Sequence, residues 1–168
     1  VKKEFTVAKS FFREIARDNQ SEYYPQTQYY LGLCYFYEGD YDNSVESLQK
    51  VANQEDYRRH IPYYITQIYF AQRRFDELIA YAEPLIYDTR LRNQREINQL
   101  LGQAYFESGD YQKALPFLEK YAESARSMRE EELYQLGFAQ YQTGNYRKAV
   151  NSLKPLTAAD SPISQNAM

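Results

Sequence analysis

The chain has 168 residues, the size of one ordinary domain, and a formal net charge of −3. Its basic residues are scattered, so it lacks the basic stripe that nucleic-acid binders use to neutralise phosphates. Its single cysteine rules out an internal disulfide, and no apolar run approaches the ~20 residues that span a bilayer.

The first predicted element is one helix within residues 1–22. When the register of the next unit is extended backward by 36 residues, the apolar residues of this segment fall on positions of the second helix of a hairpin. These residues are Phe5, Ala8, Phe12 and Ile15. We therefore interpret this segment as half a repeat whose first helix is missing.

Residues 25–58 predict a helix, a tight turn and a second helix. Gly32 in the first helix and Ser44 in the second are small, which lets two helices approach closely. Gly39 is expected to end the first helix in the left-handed conformation that glycine adopts most easily. Asp40 is then predicted to cap the second helix, and Tyr41 to plug the hairpin.

The same pattern recurs in residues 59–94, 95–129 and 130–164. The aromatic residue after the turn is Tyr41, Phe75, Tyr111 or Tyr146, at spacings of 34, 36 and 35 residues. Further small pairs are Gly102 with Ala114 and Gly137 with Ala149, and further predicted caps are Asp110 and Asn145. Because one such hairpin cannot bury its apolar face alone, neighbouring hairpins are expected to stack.

This pattern resembles the tetratricopeptide repeat family over nearly the whole chain. The resemblance implies an all-α fold: a right-handed α-solenoid of antiparallel helix hairpins, the superhelix of that family, with about nine helices in one array over residues 1–168. Residues 165–168 would open a further helix, so we expect a piece of a longer array. A short capped domain with frayed ends is the alternative.

In that family the first helices line a concave groove that binds a peptide or protein segment. By resemblance, the groove residues of this chain are Tyr29, Leu33, Phe36, Tyr37, Tyr63, Gln67, Phe70, Gln99, Gln103, Phe106, Tyr134, Phe138 and Tyr141. The regular column of Phe36, Phe70, Phe106 and Tyr141 is equally typical of packing between repeats.

Signatures of catalysis are lacking. His60 is the only histidine and stands 26 residues from Cys34, so neither a nucleophile–base pair nor a zinc site is indicated. The run Glu130-Glu131-Glu132 is predicted to start a helix, where carboxylates complement the positive end of the dipole. We predict no enzyme activity, no cofactor and no metal.

The predicted role is a protein-interaction scaffold whose partner is a protein or peptide, with no nucleic acid and no direct membrane span. Phe11 to Ile15 and the Tyr23-Tyr24-Pro25 run are similar to repeats of periplasmic Tol–Pal-associated and outer-membrane assembly lipoproteins. An accessory module of bacterial envelope assembly, located in the periplasm, is therefore one alternative. A spacer between other domains and a binder of carbohydrate or single-stranded RNA through stacked tyrosines are others. The compartment and the oligomeric state stay open.

Overall fold

The structure is a computed structural model that describes residues 2–158, with side chains from Thr6 to Thr157. This part of the chain contains nine α-helices, two short 3₁₀-helices and no strand. The helices are α1 (Lys2–Ile15), α2 (Tyr24–Glu38), α3 (Tyr41–Gln49), α4 (Ile61–Ala71), α5 (Phe75–Ala82), α6 (Gln94–Glu107), α7 (Tyr111–Ser124), α8 (Glu130–Gln142) and α9 (Tyr146–Leu153). The 3₁₀-helices are Glu83–Leu85 and Lys154–Ala158. The prediction of an all-α chain is confirmed.

The chain forms two compact units. Unit 1 comprises Val1–Gln72 with Asp88–Asn93 and contains α1 to α4, each packed on the next. Unit 2 comprises Arg73–Tyr87 with Gln94–Met168 and contains α5 to α9, again packed in chain order. The predicted division into repeats remains a proposal. Residues 165–168 and the side chain of Phe5 lie outside the described part.

Aliphatic side chains at helical spacing form the core of each unit. In unit 1 the fully buried residues include Leu48 of α3 and Ile61, Ile65 and Ile68 of α4. In unit 2 they include Leu78, Ile97, Leu101 and Ala114. Each buried leucine or isoleucine contributes roughly 1.5–3 kcal/mol, so the core accounts for most of the stability that helix propensity alone cannot supply.

The first-helix glycines make close contacts, but with a larger partner than the sequence suggests. A Cβ built on Gly32 would lie 2.7 Å from Leu48 Cγ, and one on Gly137 would lie 2.5 Å from Leu153 Cγ. The nearest side chain is therefore a leucine one turn beyond the predicted small residue. Ser44 still meets Gly32, because its hydroxyl donates a 2.8 Å hydrogen bond to the Gly32 carbonyl.

The turns between paired helices follow the predicted left-handed geometry. Gly39, Gly109 and Gly144 have φ values of 80°, 78° and 81°. The equivalent position of the second hairpin is Arg73, which adopts a φ of 57° although it carries a side chain. A left-handed non-glycine residue costs about 1–2 kcal/mol, so this turn contains local backbone strain that the glycine turns avoid.

The predicted caps behave differently from one another. The Asp110 carboxylate accepts a 3.1 Å hydrogen bond from the Lys113 amide, which confirms that cap. Asp40 makes no such bond, and its carboxylate accepts from the Asn43 side chain at 2.9 Å instead. Asn145 also makes no side-chain cap. The cap prediction is thus wrong at these two positions, and at Asp40 the reason is that the Asn43 side chain competes for the carboxylate oxygens.

Candidate functional site

The predicted groove residues lie on the first helices of the hairpins and divide between the two units. Unit 1 carries Tyr29, Leu33, Phe36 and Tyr37 on α2 and Tyr63, Gln67 and Phe70 on α4. Unit 2 carries Gln99, Gln103 and Phe106 on α6 and Tyr134, Phe138 and Tyr141 on α8. Because each unit has two first helices, each offers a surface of its own.

In unit 1 the aromatic rings form a continuous cluster, which we call the tyrosine face: Tyr29, Phe36, Tyr37, Tyr63 and Tyr64. The Phe36 ring centroid lies 5.3 Å from those of both Tyr37 and Tyr64, in edge-on contacts, and the contact with Tyr64 joins α2 to α4. The Tyr63 and Tyr64 rings lie 5.6 Å apart. Such spacing suits aromatic pairs, which adds stability beyond their buried area.

Hydroxyl groups tie the tyrosine face together. Burial, together with the neighbouring Tyr64 hydroxyl, raises the pKa of Tyr29 to about 12. Burial also raises the pKa of Tyr64, and the neighbouring Tyr37 contributes to this increase. The hydroxyls of Tyr29, Tyr64 and Tyr37 thus interact with one another, while Tyr37 keeps 57% of its surface exposed.

Sequence reasoning missed Tyr64, which belongs to the tyrosine face, and Tyr57, which contacts it. Tyr64 follows the predicted Tyr63, and the helical register placed it off the groove. Tyr57 lies in the loop before α4 and stacks on Tyr29 at 4.6 Å between ring centroids. The consecutive pairs Tyr29-Tyr30 and Tyr63-Tyr64 were the signal in the sequence that could have indicated a wider aromatic surface. Two adjacent tyrosines widen the aromatic surface of one helix turn.

In unit 2 the predicted aromatic residues pack around the residue that follows a turn. The Tyr111 ring lies 5.3 Å from Phe106 and 5.4 Å from Phe138, and Tyr134 stacks on Phe138 at 5.7 Å. Phe106 and Phe138 thus pack against Tyr111, the aromatic residue that follows the turn of this hairpin. Tyr141 is exposed and meets Tyr146 edge-on at 5.6 Å.

The two predicted glutamines of unit 2 are engaged within the protein. Gln103 is only 7% exposed, and its amide donates to Gln135 Oε1 at 3.0 Å. Gln99 donates to Glu132 Oε1 at 2.6 Å. Both amides therefore bridge α6 to α8.

Glu132 is the buried carboxylate at this junction, with 4% of its surface exposed. It accepts hydrogen bonds from the Arg129 amide at 2.9 Å, the Arg129 guanidinium at 2.7 Å and the Tyr121 hydroxyl at 3.3 Å. Burial by itself raises the pKa of Glu132, but the bonds from Arg129 outweigh it, so the pKa lies below its usual range. The structure confirms that the acidic run starts a helix, and it adds a bond from the Arg129 backbone amide to the Glu132 carboxylate that the sequence did not reveal.

Cys34 is buried in α2. Burial raises the pKa of its thiol, which disfavours the reactive thiolate. The described residues hold no group of three or more histidine, cysteine, aspartate or glutamate side chains suited to a metal ion. None of the helices between residues 2 and 158 has the length and apolar character needed to cross a membrane.

Two family models match the chain. Residues 71–156, just over half of it, match the model described as anaphase-promoting complex, cyclosome, subunit 3. Residues 26–55 match the model described as tetratricopeptide repeat. No curated protein matches the chain.

Several solved structures share the fold. MamA from Desulfovibrio magneticus RS-1 is 17% identical, with a TM-score of 0.71 over 94% of this chain and 88% of that chain. MamA of AMB-1 is 14% identical, with a TM-score of 0.75 over 95% and 86%. A Podosopora anserina protein of the kinesin light chain type, with nearly identical TPR-like repeats, is 19% identical, with a TM-score of 0.64 over 92% and 84%. At these identities the similarity concerns the fold.

Proposed function

Because the chain belongs to the tetratricopeptide repeat family, with just over half of it covered by the TPR-type model of residues 71–156, we propose that it binds a peptide or protein segment on the first helices of its hairpins. Proteins of this family are scaffolds for protein interaction rather than enzymes. The binding surface proposed for unit 1 is the tyrosine face, joined by the half-buried Leu33, Gln67 and Phe70.

The observation that carries the proposal is an uncharged aromatic surface whose rings are already ordered. Tyrosine supplies a large apolar area and a polar tip at a low cost in conformational entropy, which is why it is enriched among residues that dominate binding energy. The ring contacts of Phe36 with Tyr37 and Tyr64, and of Tyr63 with Tyr64, order these side chains before a partner arrives. Pre-ordered side chains reduce the entropy lost on association.

The chemistry of this face also defines its partner. Its members are tyrosine and phenylalanine, so they contain no charge that would recognise an acidic or basic segment. A segment rich in apolar side chains and backbone carbonyls fits best, because rings accept the former and tyrosine hydroxyls donate to the latter.

The unit 2 residues divide into two roles in this proposal. Tyr134 and Tyr141 offer ring surface to a partner. Gln99 and Gln103 donate to α8, so they position the two first helices of the unit instead of reaching outward.

The test is a selection of peptides from a random library on the wild-type chain, followed by measurement of Kd by fluorescence polarisation. Tyr37→Ala and Tyr63→Ala should each weaken binding by about 30-fold, the effect of losing about 2 kcal/mol at a dominant contact. Tyr87→Ala is the matched control, because Tyr87 is 83% exposed and lies outside the proposed surface. Far-UV circular dichroism should show unchanged helicity in all three variants.

Two results would contradict the proposal. Failure to enrich any peptide would favour a spacer role, in which the helices hold other domains apart. Equal losses in Tyr87→Ala and in the two variants of the tyrosine face would show that the captured peptides bind elsewhere.

A further inference from the structure

Two adjoining pockets of unit 1 open at the start of α2. The first lies between α1 and α2, has a volume of about 370 Å³ and has an almost entirely apolar wall. The second lies between the start of α2 and the loop that precedes α4, and has a volume of about 390 Å³. Tyr23 and Gln26 line both pockets, so the two cavities share a wall.

The first pocket exposes apolar side chains that a partner can cover. Ile15, Tyr23 and Tyr30 line it and are exposed. The Phe12 ring stacks on Tyr30 at 5.9 Å between ring centroids, which joins α1 to α2 at the pocket. Covering such a surface removes apolar area from water, so a bulky apolar side chain suits this cavity.

The second pocket differs from the first by its negative charge. Glu22 and Asp56 line it, and neither carboxylate forms an ion pair or accepts a hydrogen bond from any residue that the structure describes. The side chains given for both pockets include no lysine, arginine or histidine. Arg58 and Arg59, which follow in the same loop, pair with Glu55 at 2.9 and 3.7 Å. The charge of this pocket is therefore available to a cation.

The helix start beside the second pocket is a poor site for an anion. The Tyr24 amide already donates to the Ser21 carbonyl at 3.0 Å. Pro25, which lines the pocket, has no amide hydrogen. Two of the free donors that attract anions to a helix start are thus missing, so the carboxylates dominate the charge of the pocket.

Two tyrosine rings complete the second pocket. Tyr23 and Tyr57 line it beside the carboxylates. Burial, followed by the negative charge of Asp56, raises the pKa of Tyr57, so this carboxylate acts directly on that ring. Cations are attracted to the faces of aromatic rings as well as to carboxylates, which makes an arginine or lysine side chain the best fit.

Both pockets adjoin the tyrosine face at the same residue. Tyr30 of the apolar pocket meets Tyr29 at 5.5 Å between ring centroids. Tyr57 of the acidic pocket stacks on Tyr29 at 4.6 Å. A segment that lies on the tyrosine face can therefore continue into the two pockets.

We infer that the partner of the tyrosine face carries a bulky apolar residue beside an arginine or lysine. The apolar side chain fills the pocket between α1 and α2, and the basic side chain pairs with Glu22 and Asp56. This inference rests on the proposed function, because the same segment covers the tyrosine face. It adds a selectivity for charge that the uncharged tyrosine face does not have.

Peptides selected from a random library on the wild-type chain are the probes. The selected sequences should contain arginine or lysine beside a bulky apolar residue. Replacing that arginine by citrulline, or that lysine by acetyl-lysine, keeps the shape and removes the charge. The Kd should then rise at least about fivefold, because exposed ion pairs contribute modestly and a ring contact adds to them.

A double variant links the charge preference to the second pocket. Glu22→Gln/Asp56→Asn should weaken binding of the charged peptide by a similar factor and should no longer distinguish it from the neutral peptide. Asp42→Asn/Glu46→Gln is the matched control, because it removes two negative charges from exposed positions of α3 that line neither pocket. Its effect on Kd should stay within about twofold. Far-UV circular dichroism should show unchanged helicity in both double variants.

A second pair of variants tests the apolar pocket. Ile15→Ala should raise the Kd at least about threefold, because it removes apolar surface from the pocket wall. Val7→Ala should leave the Kd unchanged, since Val7 is exposed on the same helix but does not line the pocket.

The outcomes separate this inference from the proposed function. Failure to enrich any peptide would overturn both. Selected peptides that depend on Tyr37 and Tyr63 but contain no basic residue would overturn this inference alone. Equal effects of the two double variants, or of Ile15→Ala and Val7→Ala, would also overturn it and leave the proposed function intact.

Discussion

Glu132→Gln tests whether the buried carboxylate holds unit 2 together. The substitution preserves shape but replaces one acceptor oxygen with an NH₂ group and removes the charge. When the new NH₂ group faces the Arg129 amide, two hydrogen-bond donors oppose each other, so the 2.9 Å bond that caps the helix is lost. The bonds from Tyr121 and Gln99 change from charge-assisted to neutral.

The expected loss of unfolding free energy is about 2 kcal/mol. Losing the cap accounts for about 1 kcal/mol, and weakening the two bonds from partly or fully buried donors accounts for the remainder. The Arg129 side chain adds little, because 70% of it is exposed and water screens its pairing with the carboxylate.

Glu131→Gln is a closely matched control. Glu131 occupies the same first turn of α8, so its substitution removes the same charge from the same dipole end, but its side chain is exposed. Its effect should stay within about 0.5 kcal/mol. Urea unfolding followed by circular dichroism at about pH 7 measures both variants.

The pH dependence provides a second check on Glu132. Because its pKa is lowered in the folded state, its contribution is fully present above the unfolded value of about 4.3 and is lost as pH falls through the folded value. The difference in unfolding free energy between wild type and Glu132→Gln should therefore become smaller as the pH falls below the folded-state pKa of Glu132. Equal stabilities of the Glu132→Gln and Glu131→Gln variants near neutral pH, or a gap that stays constant on acidification, would refute the reasoning.

Three further predictions concern the turns, the helix contacts and the tyrosine face. Gly32→Ala should destabilise the chain by about 1–3 kcal/mol in urea unfolding, because the added Cβ would lie 2.7 Å from the fully buried Leu48; a stabilised variant would contradict this contact. Arg73→Gly should stabilise it by about 0.5–1 kcal/mol by relieving the left-handed conformation, whereas Gly109→Ala should destabilise it; a lower thermal midpoint for Arg73→Gly would argue against strain. Tyr29 stabilises the fold below the unfolded tyrosine pKa of about 10, and this contribution is lost as pH rises toward about 12. As the pH rises from about 10 to about 12, the free energy of unfolding of Tyr29→Phe should therefore fall less than that of wild type. Equal falls in the two proteins would exclude the raised pKa of Tyr29.

Local signals predicted the fold well because each hairpin is built from contacts close in sequence. Gly39, Gly109 and Gly144 terminate helices as expected, while the equivalent turn of the second hairpin has Arg73 instead of glycine. The pattern was less informative where a side chain had several local partners. Asp40 illustrates this limit, since its carboxylate pairs with Asn43 and leaves the helix amide uncapped.

The candidate site divides in the same way. The resemblance to the tetratricopeptide repeat family identified Tyr37 and Tyr63 as first-helix residues, but it could not identify Tyr57, whose loop meets Tyr29 only after the chain folds. Register also could not distinguish an outward glutamine from Gln103, whose amide is buried against α8.

The sequence by itself determined the repeat, the helical hairpins and the family, because glycine, small and aromatic residues at fixed offsets constrain the backbone locally. Only the tertiary structure decided which polar groups are paired. Glu132 gained donors from three different residues, while Asn98 kept a buried oxygen without one. Such pairing depends on atoms brought together from separate helices, and helical periodicity carries no information about their distances.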